Sequence, residues 1–249
     1  VLAELPVAPG RLSVVEQVRQ ARFLRDLQQK PALASTVKVL VVAQHMTSWG
    51  ALEPLVRAAD PDPRVECTVV TLDSPFSRWP TEARDVVAGE GWTPAPAHAV
   101  VDRLQDFDVI VVSDPYDHYR PPGFQLSALL SSGARVVLSP YAENIGWEVS
   151  TQYDTPTHNF AWRIYAASQD QVENFTTHCG AGAAHVRSFG PLKLDWLSAV
   201  SGPSASRAEA LKATLAAERI VLWNPHFRSG SDGWSTFVEY WEVMLDLVR

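Results

Sequence analysis

The chain has 249 residues, 46% of them hydrophobic, and a formal net charge of −7, which fits one large domain or two small ones with a sizeable core. Lysine and arginine form no block that could neutralise a nucleic-acid backbone, which argues against a nucleic-acid partner, and no apolar run reaches the roughly 18 residues of a membrane span. The only cysteines, Cys67 and Cys179, give neither a disulfide framework nor zinc-ligand spacing, which favours a cytoplasmic protein.

An amphipathic helix is predicted first, over residues 13–30, where Ser13 and Glu16 form a capping box. Buried strands are predicted where apolar and β-branched residues cluster, at 38–44, 64–72, 107–113, 135–138, 162–167 and 184–188. Helices are predicted between them, at 51–59, 82–88, 97–104, 124–130 and 169–178. Strands that alternate with helices at this spacing predict an α/β fold with a doubly wound, parallel, Rossmann-like sheet.

Polar and aromatic loops follow three of the predicted strands, at 45–50, 114–121 and 139–147. The carboxyl ends of parallel strands lie at one edge of a sheet, and α/β proteins bind ligands beyond that edge. We therefore expect these three loops to form one ligand site. The alternative for each loop residue is a turn that bonds to the local backbone.

A further strand, at 220–223, is predicted to begin a second α/β unit. The polar loop that follows it leads into a helix that Ser235 or Thr236 can cap. Because free N–H groups at a helix N-terminus attract anions, this loop suits a phosphate or diphosphate; the alternative is a surface loop with a solvated arginine. The residues predicted to contact the phosphate are His226, Arg228, Ser229, Ser235 and Thr236.

Four stretches of the chain carry a family resemblance through their order along the sequence. They are 113–121 (SDPYDHYRP), 153–168 (YDTPTHNFAWRIYAAS), 186–197 (VRSFGPLKLDWL) and 223–237 (WNPHFRSGSDGWSTF). Together, over residues 38–249, they resemble bacterial proteins of the CDP-glycerol glycerophosphotransferase-like family. The resemblance implies a GT-B-like layout, in which a ligand cleft separates two Rossmann-like domains.

That layout predicts four parts of the chain. They are an N-terminal helical segment at 1–36, a Rossmann-like acceptor-side domain at 37–197, a linker and helix at 198–218, and a nucleotide-donor domain that starts at 219–249. The first residues of the third part have the composition of a linker. Thirty residues cannot complete a Rossmann-like domain, so we expect the second domain to be only begun, and truncated, in this chain.

The resemblance also implies an activity. A transferase of this kind moves glycerol phosphate, or a sugar, from a nucleotide-diphosphate donor such as CDP-glycerol or a nucleotide sugar. The acceptor is a cell-surface polymer, such as teichoic acid, or a lipid-linked molecule. The resemblance therefore implies a bacterial cytoplasmic location, with peripheral contact at the inner face of the cell membrane. No cofactor is firmly indicated, since no set of residues has metal-ligand spacing. Mg²⁺ bound through the donor's phosphates would leave little trace in the sequence.

The chemistry requires a base within hydrogen-bond reach of the acceptor hydroxyl. Teichoic-acid enzymes of the family carry a His-Gly-Thr-Pro run, but the positional counterpart at residues 139–143 has no histidine. The predicted base therefore comes from the residues that follow predicted strands at the ligand edge, with His45 ahead of Glu143 and His118. The residues predicted to contact the acceptor are Asp114, Tyr116, Tyr119, Tyr141 and Trp49.

A second hypothesis is a non-catalytic module that keeps the GT-B-like fold and binds a carbohydrate or a protein. The missing His-Gly-Thr-Pro run favours this module. The polar loop from His226 to Ser235 favours the transferase.

Overall fold

A computed structural model describes residues 36–74, 81–142, 152–199, 209–214 and 237–248. The chain divides into two compact units, Val1–Val200 and Ser201–Arg249. Three sequence predictions lie outside the described residues: the helix at 13–30, the base candidate Glu143, and the strand and phosphate-binding loop at 220–236. These remain predictions, as do the domain boundaries.

Within the described residues, six strands form one parallel sheet in the order β2-β1-β3-β4-β5-β6. They are β1 (Val37–Ala43), β2 (Val65–Thr71), β3 (Val109–Val112), β4 (Arg135–Leu138), β5 (Arg163–Ala166) and β6 (Val186–Ser188). Every strand lies within about two residues of its predicted position, the usual uncertainty of strand ends. The expected parallel, Rossmann-like α/β sheet is confirmed.

Helices connect these strands. In the first unit they are α1 (Met46–Trp49), α2 (Glu53–Ala59), α3 (Glu82–Gly89), α4 (Ala97–Val100), α5 (Leu126–Ser131), α6 (Pro156–Phe160), α7 (Gln169–His178) and α8 (Leu192–Ala199). Short 3-10 turns lie at Val101–Asp106, Asp117–Tyr119 and Pro122–Phe124. The helix predicted at 51–59 corresponds to α2, whereas α1 lies within the predicted loop at 45–50, and the helix predicted at 97–104 ends as a 3-10 turn.

The sheet is covered on both faces. Along β1, Leu40 and Val42 belong to one hydrophobic cluster, whereas Val41 and Ala43 belong to the other. Each of these four side chains is at most 2% exposed. A parallel strand that is buried on both faces needs apolar residues at every position, which explains the unbroken apolar run in the sequence.

The strand order creates a topological switch point between β1 and β3. From β1 the chain moves outward to β2 on one side, and from β3 it moves outward to β6 on the other. The register pairs Val42 with Val112, and Val112 with Leu138, so the carboxyl ends of β1, β3 and β4 are level. Open α/β sheets bind ligands at such a point, beyond the carboxyl ends of the strands.

The described residues of the second unit are helical. They comprise residues 209–214 and a helix at Phe237–Val248, which begins where the sequence predicts a helix start. No helix in the described ranges of either unit is both long enough and apolar enough to cross a membrane.

Candidate functional site

His45 and Asp114 form a side-chain pair across the switch point. His45 follows β1, and its N–H donates to Ser48 Oγ at 3.2 Å while that hydroxyl donates back to His45 O at 2.6 Å. His45 Nε2 lies 3.3 Å from Asp114 Oδ2, on the loop after β3, and the two side chains are 10% and 3% exposed. A carboxylate at this position favours the tautomer whose proton sits on Nε2, and it fixes the orientation of the ring.

The loop that carries Asp114 is built around a buried arginine. Arg120 has a side chain with 0% exposure, and its Nη1 donates to Asp114 O at 2.6 Å. Its Nη2 donates to Asp117 Oδ1 at 2.8 Å and to Thr157 Oγ1 at 3.3 Å. The Tyr116 N–H donates to Asp114 Oδ1 at 2.7 Å. Arg120 thus fixes the backbone carbonyl of Asp114, and the Tyr116 N–H fixes its carboxylate.

Tyr141 brings the loop after β4 into the same site. Its ring meets the His45 ring edge-on, with centroids 5.3 Å apart and planes at 81°. Burial, followed by the charge of Asp114 and the phenols of Tyr116 and Tyr119, raises the pKa of Tyr141 to about 12. Burial, followed by Asp114 and Tyr119, also raises the pKa of Tyr116. Mutual electrostatics thus place Tyr116 and Tyr141 beside the Asp114 carboxylate, with Tyr119 next to both phenols.

The outer side of the site is a short run of aromatic rings. The rings of Tyr116 and Tyr119 meet edge-on at 5.9 Å and 75°. The exposed His118 ring lies 3.9 Å from the ring of Tyr119. We call Tyr116, His118, Tyr119 and Tyr141 the aromatic cluster. His118 lies at the exposed end of this cluster, whereas His45 is buried next to Tyr141. The two histidines are therefore not equivalent as base candidates.

Trp49 does not belong to the site. It is 1% exposed, packs in the hydrophobic cluster on one face of the sheet, and donates its Nε1–H to Glu90 Oε2 at 2.8 Å. The expectation that Trp49 contacts the acceptor is therefore wrong: its indole is a core residue, although it belongs to the same predicted loop after β1 as His45. The proposed donor contacts His226, Arg228, Ser229, Ser235 and Thr236, like Glu143, lie outside the described residues.

Sequence reasoning missed Arg120 and Thr157. Each belongs to a stretch that supports the family resemblance, but neither stands out as a chemical group. Their partnership joins residues 37 positions apart in the chain. An arginine followed by two prolines has the composition of a surface turn, and only the fold shows that this one is buried.

A cavity of about 130 Å³ adjoins Tyr141. Residues after β4, at the end of β5 and in the first turns of α8 line it, among them Tyr165, Gln171 and Lys193. Gln171 holds the wall together, since its Oε1 accepts the Ala167 N–H at 2.8 Å. The carboxyl edge therefore continues from the switch point towards β6 as a partly open depression.

Metal ligands are not gathered at this edge. Across the described ranges, no group of three or more His, Cys, Asp or Glu side chains is placed to hold a metal ion. A Mg²⁺ ion bound through a donor's phosphates would not require such a group.

No family model matches the chain, and no curated protein sequence matches it. Two similar solved structures are a UDP-N-acetylglucosamine 2-epimerase, at 12% identity and TM-score 0.46, and the S. aureus protein MnaA in a structure with UDP, at 11% identity and TM-score 0.46. The first covers 69% of this chain and 54% of that protein, and the second 68% and 48%. The chain thus spans about half the length of these structures. The fold class itself is established by the strand order and pairing.

Proposed function

We propose that the chain belongs to a transferase that moves a group from a nucleotide-diphosphate donor to a hydroxyl acceptor bound at the switch point. The observation that carries this proposal is the His45–Asp114 pair, at 3.3 Å, at the carboxyl edge between β1 and β3. An imidazole held by a carboxylate is the arrangement in which histidine serves as a general base. The position is also the one at which open α/β sheets bind their ligands.

In this mechanism His45 accepts the proton of the acceptor hydroxyl as its oxygen attacks. A bond forms between the acceptor oxygen and the phosphorus or anomeric carbon of the transferred group. The bond from that atom to the leaving nucleotide phosphate breaks, and the phosphate departs with the electron pair. Asp114 stabilises the imidazolium that results.

The leaving phosphate needs cationic or N–H stabilisation. Arg120 does not supply it, since its guanidinium is buried and donates to Asp114, Asp117 and Thr157. We assign this role to His226 and Arg228, with Ser229, Ser235 and Thr236 as further donors, on the strength of the sequence pattern. Mg²⁺ would be held by the donor's own phosphates. The resemblance favours CDP-glycerol or a nucleotide sugar as donor, and a surface-polymer or lipid-linked acceptor.

A thermal-shift titration of the full-length protein tests the donor. CDP, UDP and GDP, and their glycerol or sugar derivatives, are added separately over a range up to millimolar concentration. A ligand at a hundredfold excess over its Kd stabilises the folded state by about 2.7 kcal/mol, which is readily measured. One nucleotide should raise the melting temperature well above the others. If none does, the transferase proposal fails.

The alternative is a binding module without catalysis. The 8% exposure of His45 favours it, because a base needs access to its substrate. A module would bind a nucleotide or a saccharide without turning it over. Product analysis after incubation with the stabilising donor separates the two, since only the transferase releases the free nucleotide phosphate.

A further inference from the structure

We propose that the acceptor bound at the aromatic cluster is an uncharged sugar, and that a phosphate-bearing polymer end is rejected there. That this ligand is the acceptor of the reaction rests on the proposed transferase function. The preference for a neutral sugar over a phosphate is a property of binding and does not require turnover. Two independent properties of the described residues lead to it: the sign of the charge around His45, and the chemical character of the surrounding side chains.

The first property is the charge. In the described loop after β3, the acidic side chains around His45 are Asp114 and Asp117 and the guanidinium is that of Arg120, while Lys193 lies farther along the edge, in the depression beside Tyr141. Arg120 has no exposed surface, and its Nη groups are directed at the loop itself. Asp114 is also buried, with a side-chain exposure of 3%, so its charge is poorly screened by solvent. A phosphate brought to His45 would face that carboxylate without a matching cation from this loop.

The second property is the character of the wall. Tyr116 and Tyr141 lie close enough to Asp114 for its charge to act on them, and the Tyr119 ring adjoins Tyr116. The rings of this wall meet edge-on or tilted rather than in a closed stack. Tyr116 and Tyr141 are half-buried, and burial is the first cause of their raised pKa values, so both keep their O–H donors at neutral pH. Aromatic faces with hydroxyl donors and a carboxylate acceptor suit a neutral polyhydroxyl ligand, in which apolar ring faces alternate with O–H groups.

Arg120 gives this preference a structural reason. The same guanidinium could have served as a phosphate ligand, since arginine binds phosphate through two parallel N–H bonds. Here Nη1 is committed to the Asp114 carbonyl, and Nη2 to Asp117 and Thr157. The loop therefore uses its arginine to build the wall of the site and leaves the surface to tyrosine hydroxyls.

The test measures binding of matched neutral and anionic probes to the full-length protein, without nucleotide, by titration calorimetry and saturation-transfer NMR. The neutral set comprises methyl glycosides of glucose, galactose and N-acetylglucosamine. The anionic set comprises the 6-phosphates of the same sugars and glycerol 3-phosphate. At least one neutral glycoside should bind at least about tenfold more tightly than its phosphate, a difference of about 1.4 kcal/mol. The proposal is overturned if a phosphate binds better, or if no neutral glycoside binds.

Two variants locate the binding. Asp114→Asn removes the charge of the side chain and keeps its shape. It should therefore reduce the difference in affinity between each glycoside and its phosphate. Tyr116→Phe keeps the ring and removes one hydroxyl, so it should weaken glycoside binding about threefold or more while the protein stays folded. Tyr240→Phe is the matched control, since Tyr240 is 46% exposed in the second unit. Equal effects of Tyr116→Phe and Tyr240→Phe would place the sugar elsewhere and contradict the proposal.

These outcomes are separable from those of the transferase proposal. If a nucleotide stabilises the protein but a phosphate probe binds more tightly than its neutral glycoside, the transferase proposal stands and the neutral acceptor is rejected. Glycoside binding at Tyr116 without any nucleotide effect keeps the sugar site and rejects the transferase.

Discussion

Burial governs the ionisation of His158, a residue through which the family resemblance passes. It lies in α6 with 1% exposure, and its Nδ1 accepts the Thr155 N–H at 3.3 Å. Burial, with a smaller contribution from His185, lowers the pKa of His158 to about 3. The side chain is therefore a neutral part of a helix start.

His158 should make the protein sensitive to acid. The unfolded state binds a proton near the ordinary histidine pKa of about 6.5, whereas the folded state resists until about pH 3. Stability is thus complete above about pH 6.5 and declines as the pH falls from there towards 3. In His158→Gln, where glutamine can still reach back to the Thr155 N–H, this decline should be smaller. Urea unfolding between pH 4 and 8 measures the free energy of unfolding of both proteins. If it depends on pH identically in both, His158 is not the group responsible.

Tyr141 should have the opposite effect at alkaline pH. Its folded pKa of about 12 lies above the ordinary tyrosine value of about 10, so the folded state holds the proton more tightly than the unfolded state. Stability is therefore complete below about pH 10 and declines as the pH rises towards 12. Tyr141→Phe should remove one of the late-titrating phenols from the tyrosinate absorbance curve. If that variant titrates like the parent protein, Tyr141 is not held among Asp114 and its neighbours.

Arg120 should contribute more to stability than an exposed ion pair does. Replacing it by methionine leaves the Asp114 carbonyl and Asp117, whose side chain is 30% exposed, without their buried donor. Because breaking a fully buried pair costs about 3–5 kcal/mol, we expect a loss near the lower end, about 3 kcal/mol. The control is Arg103→Met, which breaks a surface pair with Asp106 whose members are 70% and 38% exposed. That loss should be below about 1 kcal/mol. Denaturant unfolding of both variants compares them, and equal losses would contradict the buried role.

At the scale of elements, α8 is fastened to the loop after β1 through tryptophan. A Cβ on Gly50 would lie 2.8 Å from Trp196 Cε3, so Gly50 allows the indole to approach the backbone. Glu90 accepts the Nε1–H of Trp196 at 3.2 Å and that of Trp49 at 2.8 Å. One carboxylate thus links two tryptophans from distant parts of the chain.

Gly50→Ala tests this contact. The backbone at Gly50 is right-handed helical, with φ −60°, so alanine costs nothing there locally, but the added methyl group collides with Trp196. We expect a loss of about 1–3 kcal/mol from overpacking. Gly89→Ala is the control: this helical glycine has open space around its Cβ position, and alanine should be neutral or stabilising by up to about 1 kcal/mol. If both variants behave alike in thermal unfolding, α8 does not rest on Gly50.

The strands could be predicted because β-branched and apolar residues cluster in or beside each of them, most clearly in β3 (VIVV). Helices α6 and α8 could not. The first has only five residues and depends on the Thr155 cap. The second has no single apolar face, and it leaves Leu194 and Leu197 more than half exposed. Periodicity detects a helix through its buried stripe, so a helix that lacks one gives little signal.

At the scale of the whole molecule, parallel topology made the position of the site predictable. The sequence placed His45, Asp114 and Tyr141 after three different strands, and the sheet brings them within contact of one another. It could not show that Trp49 turns into the core, because that depends on Glu90, 41 residues away. Nor could it separate buried His45 from exposed His118, since local sequence does not determine which loop residue the neighbouring strands cover.

His45 is proposed to act as the base on the acceptor, and His226 to bind the donor phosphate. These two roles are tested by measuring the donor Kd and the single-turnover rate of variants at both positions. With the nucleotide donor that stabilises the protein, His45→Ala should bind normally, because the residue acts on the acceptor, and its rate should fall by a factor of about 10²–10⁴. His226→Ala should weaken donor binding and slow turnover together, by about 2–4 kcal/mol in the transition state.

Two outcomes would contradict these roles of His45 and His226. If His45→Ala turns over at the parental rate, the His45–Asp114 pair is structural and the proposed base is wrong. If His226→Ala binds the donor normally and loses only the chemical step, while His45→Ala loses the donor, the two roles are reversed.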